Sequence, residues 1–377
     1  MTRNRDIATI LGRSEKDNAG NQSLVTPGRN LIINGAMSIS QRTDGQDATG
    51  KTTGGFHQCD RWYNQISGAG TFTISKDSAD HPDLFSESIK YECTTANASL
   101  GSAAELILYQ KIEGQNLQNL GFGTSSAKDV TLSFYVKSNL TGTLTAELYN
   151  IDPATNRQCS KTYTIDAADT WEYKTITYPG DTAQPFTYDN TVGLYMLLWL
   201  GAGSTRTSGT LNSSGFADQV LANRVSSSNL NLASSTSNYI AFTGVQLEAG
   251  SNATPFEHKP YVQDMTECLR YFNRYRKTNS YGEFVTLRTY SATQGTGLHQ
   301  FPTPMRAAPT LTIDKAVNGT YFAYNLNAIS ITGTDGNFTG CGFHATSASN
   351  SFVTGGGAVI QSNAVQDISF NLSAELA

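Results

Sequence analysis

The chain is poor in charge. Only 15% of its 377 residues are Asp, Glu, Lys or Arg, and 26 basic residues against 31 acidic ones leave a formal net charge of −5. There is no basic footprint for nucleic acid or an anionic membrane, so neither is expected as a partner. Cysteine is scarce too. Cys59, Cys93, Cys159, Cys268 and Cys341 are odd in number, widely spaced and free of any C-x-x-C. That argues against a disulfide framework or a zinc site and fits folding in a reducing compartment. Long apolar runs are missing. The longest, VGLYMLLWL at 192–200, is roughly half of a membrane helix, so no membrane insertion is expected. MTRNRDIATIL lacks the apolar stretch of a signal peptide.

Helical periodicity is the largest absence. No ten-residue helical pattern separates the apolar segments of the first 250 residues, which excludes the crossovers of a parallel sheet. What remains is alternation. Val130, Leu132, Phe134 and Val136 alternate with Thr131, Ser133, Tyr135 and Lys137, and Ile89, Tyr91 and Cys93 alternate with Lys90 and Glu92. This is the period of strands buried on one face. The run 192–200 is apolar on both faces and is expected to be a central strand. Leu31, Ile33, Met37 and Ile39 predict an opening strand. Two phase changes, at Trp171/Tyr173 against Ile176/Tyr178 and at Ile240/Phe242 against Val245/Leu247, predict β-bulges, the second at Gly244. Segments 201–215 and 225–238 are polar and predict long loops.

The pattern predicts an all-β, antiparallel jelly-roll β-sandwich with a short connecting α-helix, a second smaller C-terminal β domain and a short N-terminal arm. The boundaries are 1–29 for the arm, 30–258 for the sandwich, 259–278 for the helix and 279–377 for the second domain. In the arm, Ile7, Ile10 and Leu11 form one apolar helical turn that is marginal alone and so is a candidate anchor to another protein. In 261–277, Met265, Cys268, Phe272 and Tyr275 follow helical spacing, with Asp264 and Glu267 placed as a capping box. FPTPMRAAPT at 301–310 holds three prolines and predicts an edge or connector.

Chemical motifs are thin. GQDATGKT at 45–52 matches the phosphate-loop pattern, but Gly54 and Gly55 follow where a helix must begin, and no βαβ unit surrounds it; a loop is expected instead. His57, Cys59 and Asp60 sit close together, yet neighbours on alternating faces cannot reach one ion. Glu105, Glu113, Asp166 and Asp169 form a hydrolytic pair only if folding brings two of them together. No catalytic residue, cofactor or metal is expected, and no enzyme activity. Tyr290, Tyr321 and Tyr324 are candidate glycan-stacking residues of the C-terminal domain.

Several blocks carry a resemblance: NLIINGAMSISQR (30–42), CDRWY (59–63), VTLSFYVKSNLTGTLTAELYN (130–150), DTWEYKTITYPGD (169–181), FTGVQLEAGSNATPFEHKPYVQDMTECLRYF (242–272) and FPTPMRAAPT. Together with RNRDIATILGRSEKDN near the start, they resemble tail-fibre and related virion-fibre proteins of tailed bacteriophages, whose jelly-roll domain is like that of carbohydrate-binding modules. The resemblance implies a virion protein made in the host cytoplasm, attached to other tail or virion proteins through the arm, trimeric, and recognising a host surface glycan or receptor. A purely structural connector or decoration protein and a polysaccharide-degrading tail protein are the alternatives. Asp60-Arg61-Trp62 is then a local ion pair beside a buried indole, Trp171 fills the core, and Gln246 and Glu248 end the closing strand facing outward, where related jelly rolls place a calcium.

Overall fold

The computed structural model describes residues 14–16, 22–24, 28–43, 45–152, 155–277, 283–315, 329–332, 339–347, 354–361 and 368–376. They fall into two compact units, Met1–Pro260 and Tyr261–Ala377. The anchor candidates Ile7, Ile10 and Leu11, and the stacking candidates Tyr321 and Tyr324, lie outside the described residues. In the arm, β1 (Ser14–Lys16) and β2 (Gln22–Leu24) pair antiparallel.

The rest of the first unit is an antiparallel sandwich of the jelly-roll kind. One sheet, here the front, runs in the order β13 (Ala217–Asp218), β10 (Arg157–Ile165), β9 (Gly142–Asn150), β12 (Val192–Ala202), β7 (Glu105–Glu113) and β4 (Tyr63–Ser67). The back sheet runs β11 (Glu172–Tyr178), β8 (Val130–Ser138), β14 (Tyr239–Ala249), β6 (Ser88–Thr95), β5 (Thr71–Asp77) and β3 (Ala48–Lys51). The alternating residues meet between the sheets. Leu132, Phe134 and Val136 of β8 and Phe242 of β14 face Leu108, Leu148, Met196 and Leu198 in one core. The Phe134 ring touches Tyr163 of the front sheet edge-on, with centroids 5.1 Å apart. As expected, β12 is central, held by β7 on one side and β9 on the other.

Gly244 does make the predicted bulge. Its φ is +61°, and the pairing of β14 with β8 slips between Thr243 and Gln246. A Cβ there would lie 2.6 Å from the Phe85 ring, so glycine is required by both backbone and space. The other predicted bulge is absent: β11 pairs with β8 from Glu172 to Tyr178 without a shift. Trp171 and Tyr173 are simply on the outer face, and Ile176 and Tyr178 on the inner. Trp171 is therefore half-buried rather than in the core, and its indole N–H donates to Asp80. The large buried indoles are Trp62 and Trp199.

The opening strand also gives way. Residues 31–39 form no ladder, and the buried apolar set is Ile32, Met37 and Ile39. The cause is Asn34, which adopts φ +57° and clamps the backbone N–H and carbonyl of Ile39 with its side chain, each at 2.9 Å. A local amide competes with strand pairing in this way. The segment still meets the closing strand, through Leu31 N–H to Leu247 O and Val245 N–H to Gly35 O. Trp62 is fully buried as expected; Asp60 is engaged by Gln41 and Arg42, and Arg61 donates to Lys111 O.

In the second unit, the helix covers Tyr261–Leu269 only, and Asp264 lies within its first turn rather than capping it. The remainder of the expected helix is β15 (Phe272–Lys277), which pairs with β22 (Ile368–Ser373). Tyr271, Phe272 and Tyr275 are strong strand formers, and pairing beside buried Phe370 and Leu372 outweighs their helical spacing. β22 pairs in turn with β18 (Thr310–Lys315). The second sheet runs β19 (Ile329–Thr332), β20 (Gly340–Ser347), β17 (Gln294–Gln300), β16 (Glu283–Thr289) and β21 (Gly357–Gln361). The proline-rich stretch connects β17 to β18.

Candidate functional site

Strand alternation puts a second set of large side chains on the outer face of the front sheet. In register, Gln158, Tyr149, Tyr195 and Lys111 make one row across β10, β9, β12 and β7. Ser160, Glu147, Leu197, Tyr109 and Tyr63 make the next, reaching β4. The rings touch in sequence. Centroids lie 5.1 Å apart for Phe56–Tyr63, 4.9 Å for Tyr63–Tyr109, 5.6 Å for Tyr109–Tyr195 and 5.7 Å for Tyr195–Tyr149. Four adjacent strands thus carry a tyrosine row roughly 14 Å long, given the usual strand spacing. All four tyrosines are half-buried.

Loops wall this floor on two sides. On the β4 side, Gly55 bridges to Asn64 and brings Phe56 edge-on to Tyr63. A Cβ on Gly54 would come within 2.6 Å of the Tyr63 hydroxyl, so glycine lets the loop lie directly against that ring. On the β9 side runs a strap, residues 203–225. Arg206 pins it to Glu105 at 2.7 Å, and Arg224 pins it to Glu147 at 2.8 and 3.0 Å. Glu147 also accepts the Trp199 indole N–H at 2.8 Å. The Arg224 guanidinium lies 4.6 Å over the Tyr149 ring and 5.2 Å over Trp199, while Val225 helps to bury that indole. Lys111 lies 5.1 Å over Tyr195.

Burial sets the protonation states. It raises the hydroxyl pKa of Tyr109, Tyr149 and Tyr195 above the ordinary value, so the floor presents neutral O–H groups at physiological pH. Burial lowers that of His57, in the β4-side loop, keeping its imidazole neutral. For Arg224 burial opposes the charge, but Glu147 outweighs it and the pKa rises. Tyr63 and Tyr109 stack on each other, and Lys111 and Arg224 lie over the rings of Tyr195 and Tyr149; such a row of half-buried rings, hydroxyls and cations can offer a sugar apolar contact for its C–H groups and hydrogen bonds for its hydroxyls.

The residues marked by sequence fall elsewhere. Tyr290 is 47% exposed in the turn after β16, its N–H donating to Gln294 O. Ala48–Lys51 of the phosphate-loop look-alike is the edge strand β3 rather than a loop, and no helix follows it. Cys59 is buried against Met37 O, while Asp60 faces Arg42. The four carboxylates have separate partners: Arg206 for Glu105, Gln115 for Glu113, Lys174 for Asp166 and the Tyr239 hydroxyl for Asp169. Gln246 and Glu248 are buried, not outward. Glu248 accepts from Gln246, from Thr254 N–H and from the Thr254 hydroxyl, with Arg29 at 3.8 Å. A carboxylate ringed by donors and a guanidinium does not fit a calcium ligand. Among the described residues no group of three metal-ligating side chains occurs, and no helix is long and apolar enough to cross a membrane.

The tyrosine row left a trace in the sequence. Tyr63, Tyr109, Tyr149 and Tyr195 each sit at an outward position of an alternating strand, and the two-faced run 192–200 signalled that something covers or uses that face. What the sequence hides is that four separate strands lie side by side.

No family model matches the chain, and no curated protein does. Among solved structures, the enzymatically active domain of tailspike protein 4 from bacteriophage CBA120 is similar over 60% of this chain, with 13% identity and a TM-score of 0.31. The chain spans 22% of that domain's length. A putative sugar-binding protein from Bacteroides thetaiotaomicron is similar over 58% of this chain and 99% of its own, with 11% identity and a TM-score of 0.31. A CBM4 carbohydrate-binding module is similar over 58% and 99%, with 14% identity and a TM-score of 0.29.

Proposed function

We propose that this chain is a non-enzymatic tail-fibre or related virion-fibre protein that attaches a tailed bacteriophage to its host by binding a surface glycan. The observation that carries the binding role is the tyrosine floor between two loop walls, with Tyr109 and Tyr195 at its centre. Tyrosine rings and hydroxyls packed side by side in this row give sugar contacts that are individually weak. Several copies on one particle turn weak contacts into firm attachment. The phage role is supported by the sequence blocks set out above, and the same resemblance supports a homotrimer joined to other virion proteins through its N-terminal arm. Receptor contact is assigned to the sandwich; Tyr290 is an exposed ring of the second unit.

The test is adsorption of the labelled, purified protein to host cells before and after periodate oxidation of their surface sugars. Saturable binding that periodate abolishes is expected. Absence of binding points to a connector protein, and release of reducing sugar from the host polysaccharide to a depolymerase; either result removes the proposal.

A further inference from the structure

The back sheet carries a separate aromatic corner that the tyrosine floor does not involve. Trp171 leads into β11 and shares its outer face with Tyr173, two residues on and roughly 7 Å along the strand. Trp171 immediately precedes the first register pair, Glu172 with Val136, and Tyr173 falls opposite Tyr135, with ring centroids 5.0 Å apart. Asp80 reaches this corner from the β5–β6 connection. Its Oδ1 accepts the Trp171 indole N–H at 2.9 Å and the Lys137 ammonium at 3.1 Å, and its Oδ2 lies 2.8 Å from the same ammonium. Tyr173 is 45% exposed and the Asp80 side chain 37%.

An ion pair on a sheet surface is ordinary, but this one does not use up its partners. A carboxylate has about four acceptor sites and an ammonium three donors. Acceptor and donor capacity therefore remain side by side, 2.8 Å apart, on a solvent-facing edge. Adjacent hydroxyls of a pyranose ring match that pairing, one donating to Asp80 and one accepting from Lys137. The indole and phenol rings alongside supply an apolar surface for the sugar's C–H face. Burial tends to raise the Asp80 pKa, yet the bonds from Lys137 and Trp171 hold it below the ordinary value, so the acceptor is ionised at neutral pH.

We infer that Trp171, Tyr173, Asp80 and Lys137 form a second sugar-binding subsite, on the sheet opposite the tyrosine floor, for a neutral hexopyranose unit with a vicinal diol. It stands whether or not the floor binds the receptor. Two faces per chain would let one fibre bridge strands of a surface polysaccharide.

The molecule contains its own reporter. Trp62 and Trp199 are fully buried, leaving Trp171 as the indole that meets solvent. Tryptophan fluorescence is titrated with the methyl glycosides of glucose, galactose, mannose and N-acetylglucosamine. At least one should give a saturable change, and the change should persist in a Tyr109→Ala/Tyr195→Ala variant. Asp80→Asn keeps the indole but removes the charged acceptor, and should raise the midpoint about tenfold or more. Should that variant fail to fold, Lys137→Met must shift the midpoint the same way. No response to any of the four sugars, or a midpoint unmoved by the Asp80 or Lys137 change, overturns the assignment. Loss of cell binding in the tyrosine variant with this response intact separates the two sites.

Discussion

Replacing Arg224 by alanine should cut the strap loose at its most buried anchor. The Arg224 side chain is 9% exposed and its partner Glu147 is wholly buried. Two charged hydrogen bonds, at 2.8 and 3.0 Å, would be lost. Glu147 would keep the Trp199 indole N–H but would be left in a dry site without its cation. Breaking a buried pair from one side costs about 3–5 kcal/mol, because the orphaned charge stays desolvated. Set against a typical domain stability of about 5–15 kcal/mol, that is a fifth or more of the total. All three tryptophans lie within Met1–Pro260, so urea unfolding followed by tryptophan fluorescence reads this unit alone. Removing both charges together, as Glu147→Leu with Arg224→Met, should cost clearly less than Arg224→Ala, since no orphan remains. An Arg224→Ala loss below about 1 kcal/mol, or a double variant as unstable as the sum of its singles, would refute the reasoning.

Three further outcomes are expected. Gly244→Ala must accept φ +61° and a Cβ 2.6 Å from Phe85, so its melting temperature should fall well beyond that of a surface Gly→Ala control, by about 1–3 kcal/mol in stability. Stability should decline on acidification in two stages, read by urea midpoints across pH. Burial lowers the pKa of His57, His258 and His299, so their contribution is full above about 6.5 and is lost as pH falls through the lower folded values. The carboxyl of Asp80, lowered by Lys137 and Trp171 against the pull of burial, behaves likewise below about 4. At the alkaline end, burial raises Tyr91 and Tyr163, which stay neutral folded while the unfolded chain ionises near 10, so stability should fall above that pH; a flat profile from about pH 2 to about pH 11 would contradict all of this.

Strand periodicity made the sandwich legible. Side chains of β8 and β12 follow their alternation without exception at the core, and Gly244 marked its own bulge. Errors arose where a short-range polar contact or a distant strand overruled the local pattern. Asn34 breaks an otherwise extended 31–39 by bonding to Ile39. β22, nearly a hundred residues away in sequence, recruits 272–277 from a helix. Trp171 shows the limit of hydrophobicity as a guide: a large indole was expected inside, but its parity put it outside, beside Asp80. Glu248 failed in the opposite sense, because Arg29 and Thr254 that satisfy it come from other segments. The tyrosine row had the same obstacle, since its members are spread from residue 63 to residue 195 and only the strand order β9-β12-β7-β4 joins them.

The central claim is that the front-sheet tyrosines bind a host glycan, and Tyr109→Ala combined with Tyr195→Ala tests it most directly. Both side chains are half-buried on an outer face, so the variant should fold and keep its back-sheet fluorescence response. Its saturation binding to host cells should weaken at least about tenfold, the loss of two stacking contacts of roughly 0.5–1.5 kcal/mol each multiplied over the copies of a fibre. A folded double variant that binds cells with wild-type affinity would contradict the account.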